Sequence, residues 1–520
     1  MLSLRSYAGG SWIAGGGTPQ VLLNPATEEP LAHASADGVD LVAALDHARR
    51  VGGPALRALT FAARGALLKG MAQAMQTRRD ELLELAVANG GNTRSDGKFD
   101  VEGAIATLHA YAEIGEKLGT AKFLVDGEGM QLGRSPRFHG QHVSVPRAGV
   151  AVHINAFNFP AWGFAEKAAA AILAGMPVVS KPATSSAMLA HRITEILVDA
   201  KILPQGALSL LVGSPRQLPS LLGAQDVLAF TGSGDTAARI RALPNIIAES
   251  VRVNVEADSL NAAVLGPDVL PGSDIYELFL KEVQRDITQK AGQKCTAIRR
   301  LIVPQAVAAH VRDDLAEMLG AVRVGNPALS EVRMGPLATA SQLDDAREGV
   351  ARLTEHGKLA FGSAAPFAAE GVETGKGWFI SPVLVEFAAG AAASAVHARE
   401  VFGPVASILS YSGDAAEASA IVARGNGGLV CSVYSEDAGW IEEAVLGIAA
   451  CSGRIYLGHP KIELSPGPGT VLPQLVHGGP GRAGGGEELG GARALAFYMQ
   501  RVALEGSRPV IQKLLGTQAG

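Results

Sequence analysis

The spacing of apolar and polar residues changes along this chain, and each change predicts a different kind of structure. From Asp40 to Ala88 apolar residues recur at helical spacing, which predicts a layer of surface helices. Residues 128–147 are instead rich in strand formers that alternate with polar residues, which predicts a β-hairpin. An exposed hairpin usually pairs with another sheet edge. We therefore expect this hairpin to leave the body of its domain.

From Gly149 onwards, short apolar runs alternate with helical stretches. The predicted strands are 149–154, 178–182, 208–212 and 226–230, and the predicted helices between them include 160–174 and 187–200. Such alternation predicts a parallel sheet with helices on its faces. Ligands of these sheets bind beyond the carboxyl ends of the strands.

A second pattern of strands and helices extends from about residue 257 to residue 460. The next segment, 465–491, is dense in glycine and proline, a composition that also occurs in disordered regions. Because a further apolar stretch follows at 495–502, we predict a structured loop and a returning strand. The sequence contains no internal repeat.

Length and composition narrow the class of protein. A chain of 520 residues predicts two or three domains. The formal net charge of −5 argues against a nucleic acid or an anionic membrane as partner. The N-terminus lacks the features of a signal peptide, and the longest apolar run, 168–179, is shorter than the roughly 20 residues of a membrane helix. Three cysteines do not make a disulfide framework, so we expect a soluble protein of the cytoplasm.

Two short stretches carry residues that are suited to catalysis. Cys295 follows Gly292, which allows a close backbone approach, and Gln293, which can hold the loop. A lone cysteine is either a nucleophile or a small buried apolar residue. Asn158 precedes Pro160, a residue that suits the first turn of a helix. Its amide either stabilises an oxyanion or caps that helix.

Two further turns are suited to a nucleotide. Lys181-Pro182 ends a predicted strand at the edge where parallel sheets bind nucleotides. Residues 231–234, Thr-Gly-Ser-Gly, begin a predicted helix whose N-terminal amides suit a phosphate. Neither turn contains the Gly-x-Gly-x-x-Gly fingerprint, so neither identifies a dinucleotide site alone.

In their order and approximate spacing these stretches resemble the aldehyde dehydrogenase superfamily, over essentially the whole chain. The matching motifs are Asn158-Phe-Pro, Lys167, Lys181-Pro, Phe230-Thr-Gly-Ser233, Gly292-Gln-Lys-Cys295 and Glu400-Val-Phe-Gly-Pro404. The segment 475–489, Leu-Val-His-Gly-Gly-Pro-Gly-Arg-Ala-Gly-Gly-Gly-Glu-Glu-Leu, is similar to ring-cleavage aldehyde dehydrogenases that oxidise CoA-linked semialdehydes.

The resemblance implies an α/β aldehyde dehydrogenase fold in three parts. These are a Rossmann-like cofactor-binding domain (1–127 and 147–255), an α/β catalytic domain (256–460), and a β-hairpin oligomerisation flap with the C-terminal segment (128–146 and 461–520). The resemblance also implies a homodimer, because the flap of such proteins completes the sheet of a neighbouring subunit.

The resemblance assigns catalytic roles to four residues. Cys295 matches the nucleophile that attacks the aldehyde, and Asn158 would form the oxyanion hole with the backbone amide of Cys295. Glu256 matches the general base that activates water to cleave the resulting thioester. Lys167 resembles a lysine behind the oxyanion asparagine, with an ordering or proton-relay role.

The resemblance also implies residues for the cofactor and the substrate. The cofactor-binding candidates are Ile154, Phe157, Lys181, Thr184, Ser185, Gly232, Ser233, Glu400 and Phe402. Glu488 matches a second carboxylate near the active-site mouth. His477 lies in the glycine-rich loop, where it either touches the substrate or makes a loop hydrogen bond.

One departure from the family bears on the cofactor. Members that prefer NAD commonly have glutamate three positions after the lysine of Lys-Pro, and Thr184 stands there in this chain. Without that carboxylate a 2′-phosphate is not repelled, and Lys181, Thr184 and Ser185 offer donors to it. We therefore expect NADP rather than NAD.

Two other departures lie near the catalytic residues. The usual Glu-Leu-Gly-Gly run is Glu256-Ala-Asp-Ser259 here, and its interval to Cys295 is slightly longer than usual. Asp258 is therefore a poorer alternative to Glu256 as the base. Phenylalanine at position 157 replaces the usual tryptophan, a change that we expect to preserve packing.

The remaining candidate residues indicate core packing. Cys431 and Cys451 lie in apolar contexts, and His153 lies within a predicted buried strand. The histidines lack the spacing of metal ligands, so we predict no metal site.

The resemblance thus implies NADP-dependent oxidation of an aldehyde, with a CoA-thioester semialdehyde as the expected substrate. Two alternatives remain. In a CoA-acylating dehydrogenase free CoA would cleave the thioester, which the presence of Glu256 argues against. A catalytically silent structural relative would keep the fold alone, which the presence of Cys295, Asn158 and Glu256 argues against.

Overall fold

The computed structural model describes residues 1–388 and 394–516. Its N-terminal region consists of short strands followed by a layer of helices. These are β1 (Leu2–Ala8), β2 (Ser11–Ala14), β3 (Gln20–Leu23), β4 (Pro30–Ala34), α1 (Leu41–His47), α2 (Gly53–Ala58), α3 (Phe61–Thr77), α4 (Arg79–Gly90) and α5 (Arg94–Leu118). Asp40, Thr60 and Thr93 cap three of the helices, because each side chain accepts a first-turn amide. The predicted helical layer is confirmed.

The predicted hairpin is also present. It consists of the antiparallel strands β5 (Leu124–Gln131) and β6 (Phe138–Pro146). Almost all of β5 is exposed, so this hairpin leaves the body of the chain as expected.

The next region alternates strands and helices as predicted. It comprises β7 (Ala151–Ile154), α6 (Trp162–Ala174), β8 (Val178–Lys181), α7 (Ala187–Asp199), β9 (Leu208–Leu210), β10 (Val227–Thr231), α8 (Gly234–Arg241), α9 (Pro244–Ala248) and β11 (Arg252–Glu256). The strands form one sheet in the order β11-β10-β7-β8-β9-β1-β4-β3, with β2 beside β1. The strands from β11 to β9 are parallel. Their carboxyl ends therefore lie side by side.

A second sheet begins after β11, whose last residue is Glu256. Its region comprises β12 (Ala262–Leu265), α10 (Asp274–Thr288), β13 (Arg300–Pro304), α11 (Ala308–Gly320), α12 (Ala340–Thr354), β14 (Lys358–Phe361), β15 (Val383–Phe387), α13 (Ser394–Ala398), β16 (Val405–Tyr411), α14 (Ala415–Ala423), β17 (Gly428–Tyr434), α15 (Ala438–Ile448) and β18 (Ser452–Gly458). The strand order is β14-β15-β16-β13-β12-β17-β18. Of the predicted catalytic domain, 389–393 lie outside the described residues.

The C-terminal region comprises β19 (Val476–Gly478), β20 (Glu487–Leu489), α16 (Leu495–Tyr498), β21 (Met499–Ser507) and α17 (Arg508–Gly516). The prediction of a strand over 495–502 is wrong for its first half, because Leu495 and Tyr498 are buried on one side of the short helix α16. Strand β21 then pairs with β6 to give a three-stranded sheet β5-β6-β21. Residues 517–520 lie outside the described part of the chain.

Helix α6 connects the hydrophobic core to the site described below. Its alanines at 168–171 are buried against the helical layer and the first sheet. Asp100 of α5 accepts the amides of Ala161 and Trp162 and so caps the start of α6. Across residues 1–388 and 394–516, no helix has both the length and the apolar character needed to cross a membrane.

Candidate active site

Cys295 lies on a sharply turned loop between α10 and β13. Lys290, Ala291 and Gly292 all have positive φ angles, of 54°, 51° and 67°. A side chain at Gly292 would overlap the carbonyl oxygen of Gly403, so the loop needs glycine at this position. The close approach that we predicted for Gly292 is therefore confirmed.

Gln293 holds this loop in place, also as expected. Its side-chain oxygen accepts the amide of Ala338 at 3.0 Å, and its amide donates to the Lys290 carbonyl at 3.2 Å. Asn158 donates to the Gln293 carbonyl at 3.0 Å. Because an amide carries two hydrogens, one hydrogen of Asn158 stays available. The helix-cap interpretation of Asn158 is wrong, since Asp100 and not Asn158 caps α6.

Cys295, Glu256 and His477 meet in space, although they lie far apart in the sequence. The Sγ atom of Cys295 lies 3.8 Å from Nε2 of His477, within hydrogen-bond geometry. The same Nε2 lies 3.1 Å from Oε1 of Glu256. The sequence left open a substrate contact or a loop hydrogen bond for His477. It did not predict a contact with Cys295.

Lys167 lies behind Glu256 and is almost completely buried. Its ammonium group lies 3.0 Å from Glu166 and 3.1 Å from Glu488. Glu488 also accepts a hydrogen bond from Asn254 at 3.1 Å. Three buried or partly buried carboxylates, of Glu166, Glu256 and Glu488, thus surround one cation.

These charges set the protonation states of the site. Burial alone would raise the pKa of Glu256, but the charges of His477 and Lys167 outweigh it and hold that pKa at about 2. Burial raises the pKa of Glu488 to about 7, although Lys167 opposes the shift. Burial and the neighbouring charge of Glu256 raise the pKa of the Cys295 thiol. Near neutral pH, Glu256 is therefore ionised.

A cleft of about 480 Å³ is lined by Cys295, Asn158, Glu256, Lys167 and His477. Aromatic side chains line the same cleft. The aromatic residues are Phe99, Phe159 and Trp162. A lining of apolar and aromatic side chains with a few polar groups is typical of a small-molecule site.

The structure also brings together the residues predicted at the nucleotide edge, the carboxyl-end edge of the first sheet. Ile154 at the end of β7 is aligned with Lys181 of β8 and with Phe230 of β10. Lys181 forms no ion pair within the described ranges, and burial lowers its pKa. Ser233 caps α8 by accepting the amide of Thr236, directly after Gly232. Lys181 and the start of α8 thus lie at the strand ends, where parallel sheets bind nucleotides.

Two details of this edge differ from the simplest expectation. The hydroxyl of Thr184 donates to the Gly213 carbonyl at 3.0 Å, so Lys181 and the half-buried Ser185 are left as donors to a 2′-phosphate. Asp258 accepts the amide of Gly234 at 3.1 Å, at the start of α8. Asp258 therefore lies at the predicted nucleotide edge. Of the two candidate bases, Glu256 lines the cleft with Cys295 and Asp258 does not.

The last cofactor candidates lie close to one another. Glu400 accepts the amide of Ser259 and pairs with Arg299, both at 2.9 Å. The rings of Phe157 and Phe402 pack edge to face with centroids 5.9 Å apart. The aromatic substitution at position 157 thus retains a packing contact.

The residues that we interpreted as structural lie away from the cleft. Cys431 is buried in β17, whereas Cys451 is only partly buried. His153 is buried, and its Nε2 lies 3.3 Å from the hydroxyl of Tyr498. Burial and the charge of Lys167 lower the pKa of His153, which indicates a neutral packing residue.

A family model of the aldehyde dehydrogenase family matches residues 12–503. The chain belongs to the aldehyde dehydrogenase family. It is 45% identical over 480 residues to 3,4-dehydroadipyl-CoA semialdehyde dehydrogenase of Aromatoleum evansii, which covers 92% of this chain and 93% of that protein. It is also 40% identical over 187 residues to the protein MaoC of Klebsiella aerogenes, across 36% of this chain and 53% of that protein.

Solved structures of aldehyde dehydrogenases share the fold. Lactaldehyde dehydrogenase from Escherichia coli has a TM-score of 0.83 at 24% identity, covering 97% of this chain and 99% of that chain. PnpE in complex with nicotinamide adenine dinucleotide has the same score and identity, covering 97% and 98%. This aldehyde dehydrogenase is therefore an aldehyde oxidoreductase of the family that passes hydride to NAD or NADP.

Several residues of the site were missed by sequence reasoning. Glu166 directly precedes Lys167, and this opposite charge next to the lysine could have suggested an ion pair. Arg299 follows Cys295 by four positions, but nothing in the sequence links it to Glu400. Asn254 carries no sequence signal for its hydrogen bond to Glu488.

Proposed function

We propose that this aldehyde dehydrogenase oxidises a CoA-linked semialdehyde to the carboxylate with NADP. The proposed substrate is 3,4-dehydroadipyl-CoA semialdehyde, which would place the reaction in the breakdown of benzoate. The 45% identity to the Aromatoleum evansii enzyme across nearly the whole chain carries this proposal. The joint position of Cys295, Asn158 and Glu256 in one cleft supports it.

In the proposed first step, the Cys295 thiolate attacks the carbonyl carbon and forms a carbon–sulfur bond. The carbonyl electron pair moves onto oxygen, where the remaining hydrogen of Asn158 and the backbone N–H of Cys295 donate to it. Bound NADP supplies the acceptor for the hydride that leaves this carbon. A thioester then remains on Cys295.

In the proposed second step, water cleaves the thioester. Glu256 takes a proton from the water, the water oxygen forms a bond to the acyl carbon, and the bond to Cys295 breaks. The charge of Lys167 helps keep Glu256 ionised and therefore able to accept this proton.

The choice of NADP rests on the residues around Lys181. Position 184 carries threonine, so no carboxylate repels a 2′-phosphate there. Lys181 makes no ion pair in the described chain and offers its charge, and Ser185 offers a hydroxyl. Both features favour NADP over NAD.

The proposed assembly is a homodimer, and the proposed location is the cytoplasm. The sheet β5-β6-β21 exposes large apolar side chains, including Met130 at 53% and Phe138 at 42% exposure. Exposed apolar surface of this kind is typical of an interface. No nucleic acid or membrane partner is proposed, because the near-balanced charge gives no reason for one.

The test is an initial-rate comparison of NADPH and NADH formation. It uses free aldehydes and one CoA-linked C6 semialdehyde, each with and without added CoA. We expect NADPH to form much faster from the CoA-linked aldehyde, with no effect of free CoA. Faster NADH formation would contradict the cofactor assignment.

A rate that needs free CoA would instead support the acylating alternative. A Cys295→Ala variant that leaves the biological role intact would support a catalytically silent relative.

A further inference from the structure

The buried ring of His477 lies next to Cys295, the proposed nucleophile. It lies in β19 opposite Glu488 of β20, and the ring is buried. Its Nε2 is in hydrogen-bond geometry with Sγ of Cys295 at 3.8 Å. The nearby Oε1 of Glu256, at 3.1 Å, receives no hydrogen bond of ordinary geometry from the described residues. The ring nitrogen is therefore directed at the sulfur, while the carboxylate lies beside it.

Charged groups face this imidazole from every element around it. Glu256 belongs to β11, Glu488 to β20, and Glu166 and Lys167 to α6, while Cys295 lies on its own loop. Burial would lower the pKa of His477, but the carboxylates outweigh burial and raise it. The raised pKa favours the imidazolium form of the ring beside Glu256.

Formation of the Cys295 thiolate is electrostatically unfavourable, and a positive charge on the His477 ring would offset this effect. A thiolate on Cys295 would form in a buried place beside the negative charge of Glu256, and both effects disfavour it. The ammonium group of Lys167 is paired with Glu166 and Glu488, and no contact between Lys167 and the sulfur is seen among the described residues. His477 is the cation that lies next to Sγ itself.

We propose that His477 is a catalytic residue that supplies the positive charge opposite the Cys295 thiolate. In this step the S–H bond breaks, the proton passes to the Glu256 carboxylate, and the sulfur electron pair forms the bond to the aldehyde carbon. His477 keeps its own proton throughout. Glu256 then passes this proton to the ionised carboxylate of Glu488, whose oxygen lies within 4.8 Å of its own, and Glu256 is free to accept a proton from water.

The inference rests on the proposed role of Cys295 as nucleophile, but not on the aldehyde or the cofactor. Alkylation of the cofactor-free protein by iodoacetamide therefore tests it, because only a thiolate reacts rapidly. The alkylation rate is obtained from the mass of the Cys295 peptide. It is measured between about pH 5.5 and 9.5, a range that includes the titration of an ordinary cysteine thiol. The variant is His477→Asn, and the matched control is His310→Asn on the exposed surface of α11.

We expect His477→Asn to alkylate Cys295 about 10- to 1000-fold more slowly near pH 7, with its pH profile shifted to higher pH. His310→Asn should match the wild type. NADPH binding by the variants is measured in parallel to show that the site is folded. Wild-type alkylation rates and an unchanged profile in His477→Asn would overturn the proposal. An unchanged profile with normal aldehyde oxidation would leave the proposed function standing.

A second measurement follows the thiolate directly. The thiolate absorbance near 240 nm is titrated in the wild type and in His477→Asn, and each titration is corrected with the matching Cys295→Ser variant. Because a positive charge on His477 offsets part of the effect of burial, we expect a lower midpoint in the wild type than in His477→Asn. Equal midpoints would overturn the proposal.

Discussion

At the scale of single residues, one buried ammonium group compensates several carboxylates. Lys167 lies within ion-pair distance of Glu166 and Glu488, and its charge acts on Glu256. Burial would lower the pKa of Lys167, but these carboxylates outweigh it and raise that pKa. The site therefore holds a fixed positive charge behind the proposed base.

Glu488 should give the reaction a dependence on pH near neutrality. Its pKa of about 7 means that it changes charge in this range, and the ionised form can take up protons that leave Glu256. We expect kcat of the wild type to rise as the pH passes through about 7, and this rise to be absent in Glu488→Gln. Glu487→Gln, which changes the exposed neighbouring carboxylate, is the matched control. A Glu488→Gln profile identical to the wild type would exclude this role.

Asn158 should contribute to catalysis and not to helix stability. Its free amide hydrogen is available to the oxyanion, while the cap of α6 comes from Asp100. We expect Asn158→Ala to lower kcat by about 10²–10³, with NADPH binding retained and the melting temperature lowered only through the lost bond to the Gln293 carbonyl. A loss of less than tenfold, measured under saturating substrate and cofactor, would be evidence against the oxyanion role.

At the scale of elements, the loop that carries Cys295 depends on backbone conformation as much as on side chains. Lys290 and Ala291 adopt left-handed conformations that cost energy, so packing and hydrogen bonds must maintain them. Gln293 supplies three of these bonds, to Lys290, Ala338 and Asn158.

Gly292 should tolerate no side chain in this loop. Its φ of 67° and its contact with the Gly403 carbonyl both exclude a Cβ atom. We expect Gly292→Ala to destabilise the fold by more than about 1 kcal/mol in chemical denaturation, and to slow alkylation of Cys295. Gly223→Ala is the control, because an added Cβ there meets nothing closer than 4.0 Å. Equal stabilities of the two variants would contradict the argument.

The strands and helices of this chain were largely predictable from periodicity. The alternation after Gly149 indicated the parallel sheet, because buried strands and amphipathic helices have different apolar periods. The error at 495–502 has a simple cause, since a four-residue helix offers too short a stretch to show its period. The first half of that stretch packs Leu495 and Tyr498 into the core instead of extending the strand.

At the scale of the whole molecule, the cleft forms where the two sheets meet. Cys295 belongs to the second region, whereas Asn158, Lys167 and Glu256 belong to the first. Family resemblance indicated these four residues from motifs. The contact between Cys295 and His477 joins positions 182 residues apart, so no local pattern could reveal it. The same holds for Arg299 and Glu400, which are 101 residues apart.

The flap should control the oligomeric state. Met130 and Phe138 are exposed on the sheet β5-β6-β21, which extends from the body of the chain. We expect the double variant Met130→Lys, Phe138→Lys to sediment as a monomer when the wild type sediments as a dimer, because two buried charges oppose association. Ile247→Lys, at a residue that is 66% exposed on α9, is the control and should remain a dimer. A dimeric double variant would place the interface elsewhere.

In the proposed mechanism, Cys295 carries an acyl group that Glu256 removes with water. The most direct measurement is the intact and peptide mass of Glu256→Gln after mixing with the CoA-linked semialdehyde and NADP. We predict that at alkaline pH, where the Cys295 thiol ionises without Glu256 as proton acceptor, one acyl group accumulates on the Cys295 peptide with one equivalent of NADPH, while the wild type releases the carboxylate and stays unmodified. Full turnover by Glu256→Gln without any adduct on Cys295, or an adduct on Cys451 instead, would contradict the account.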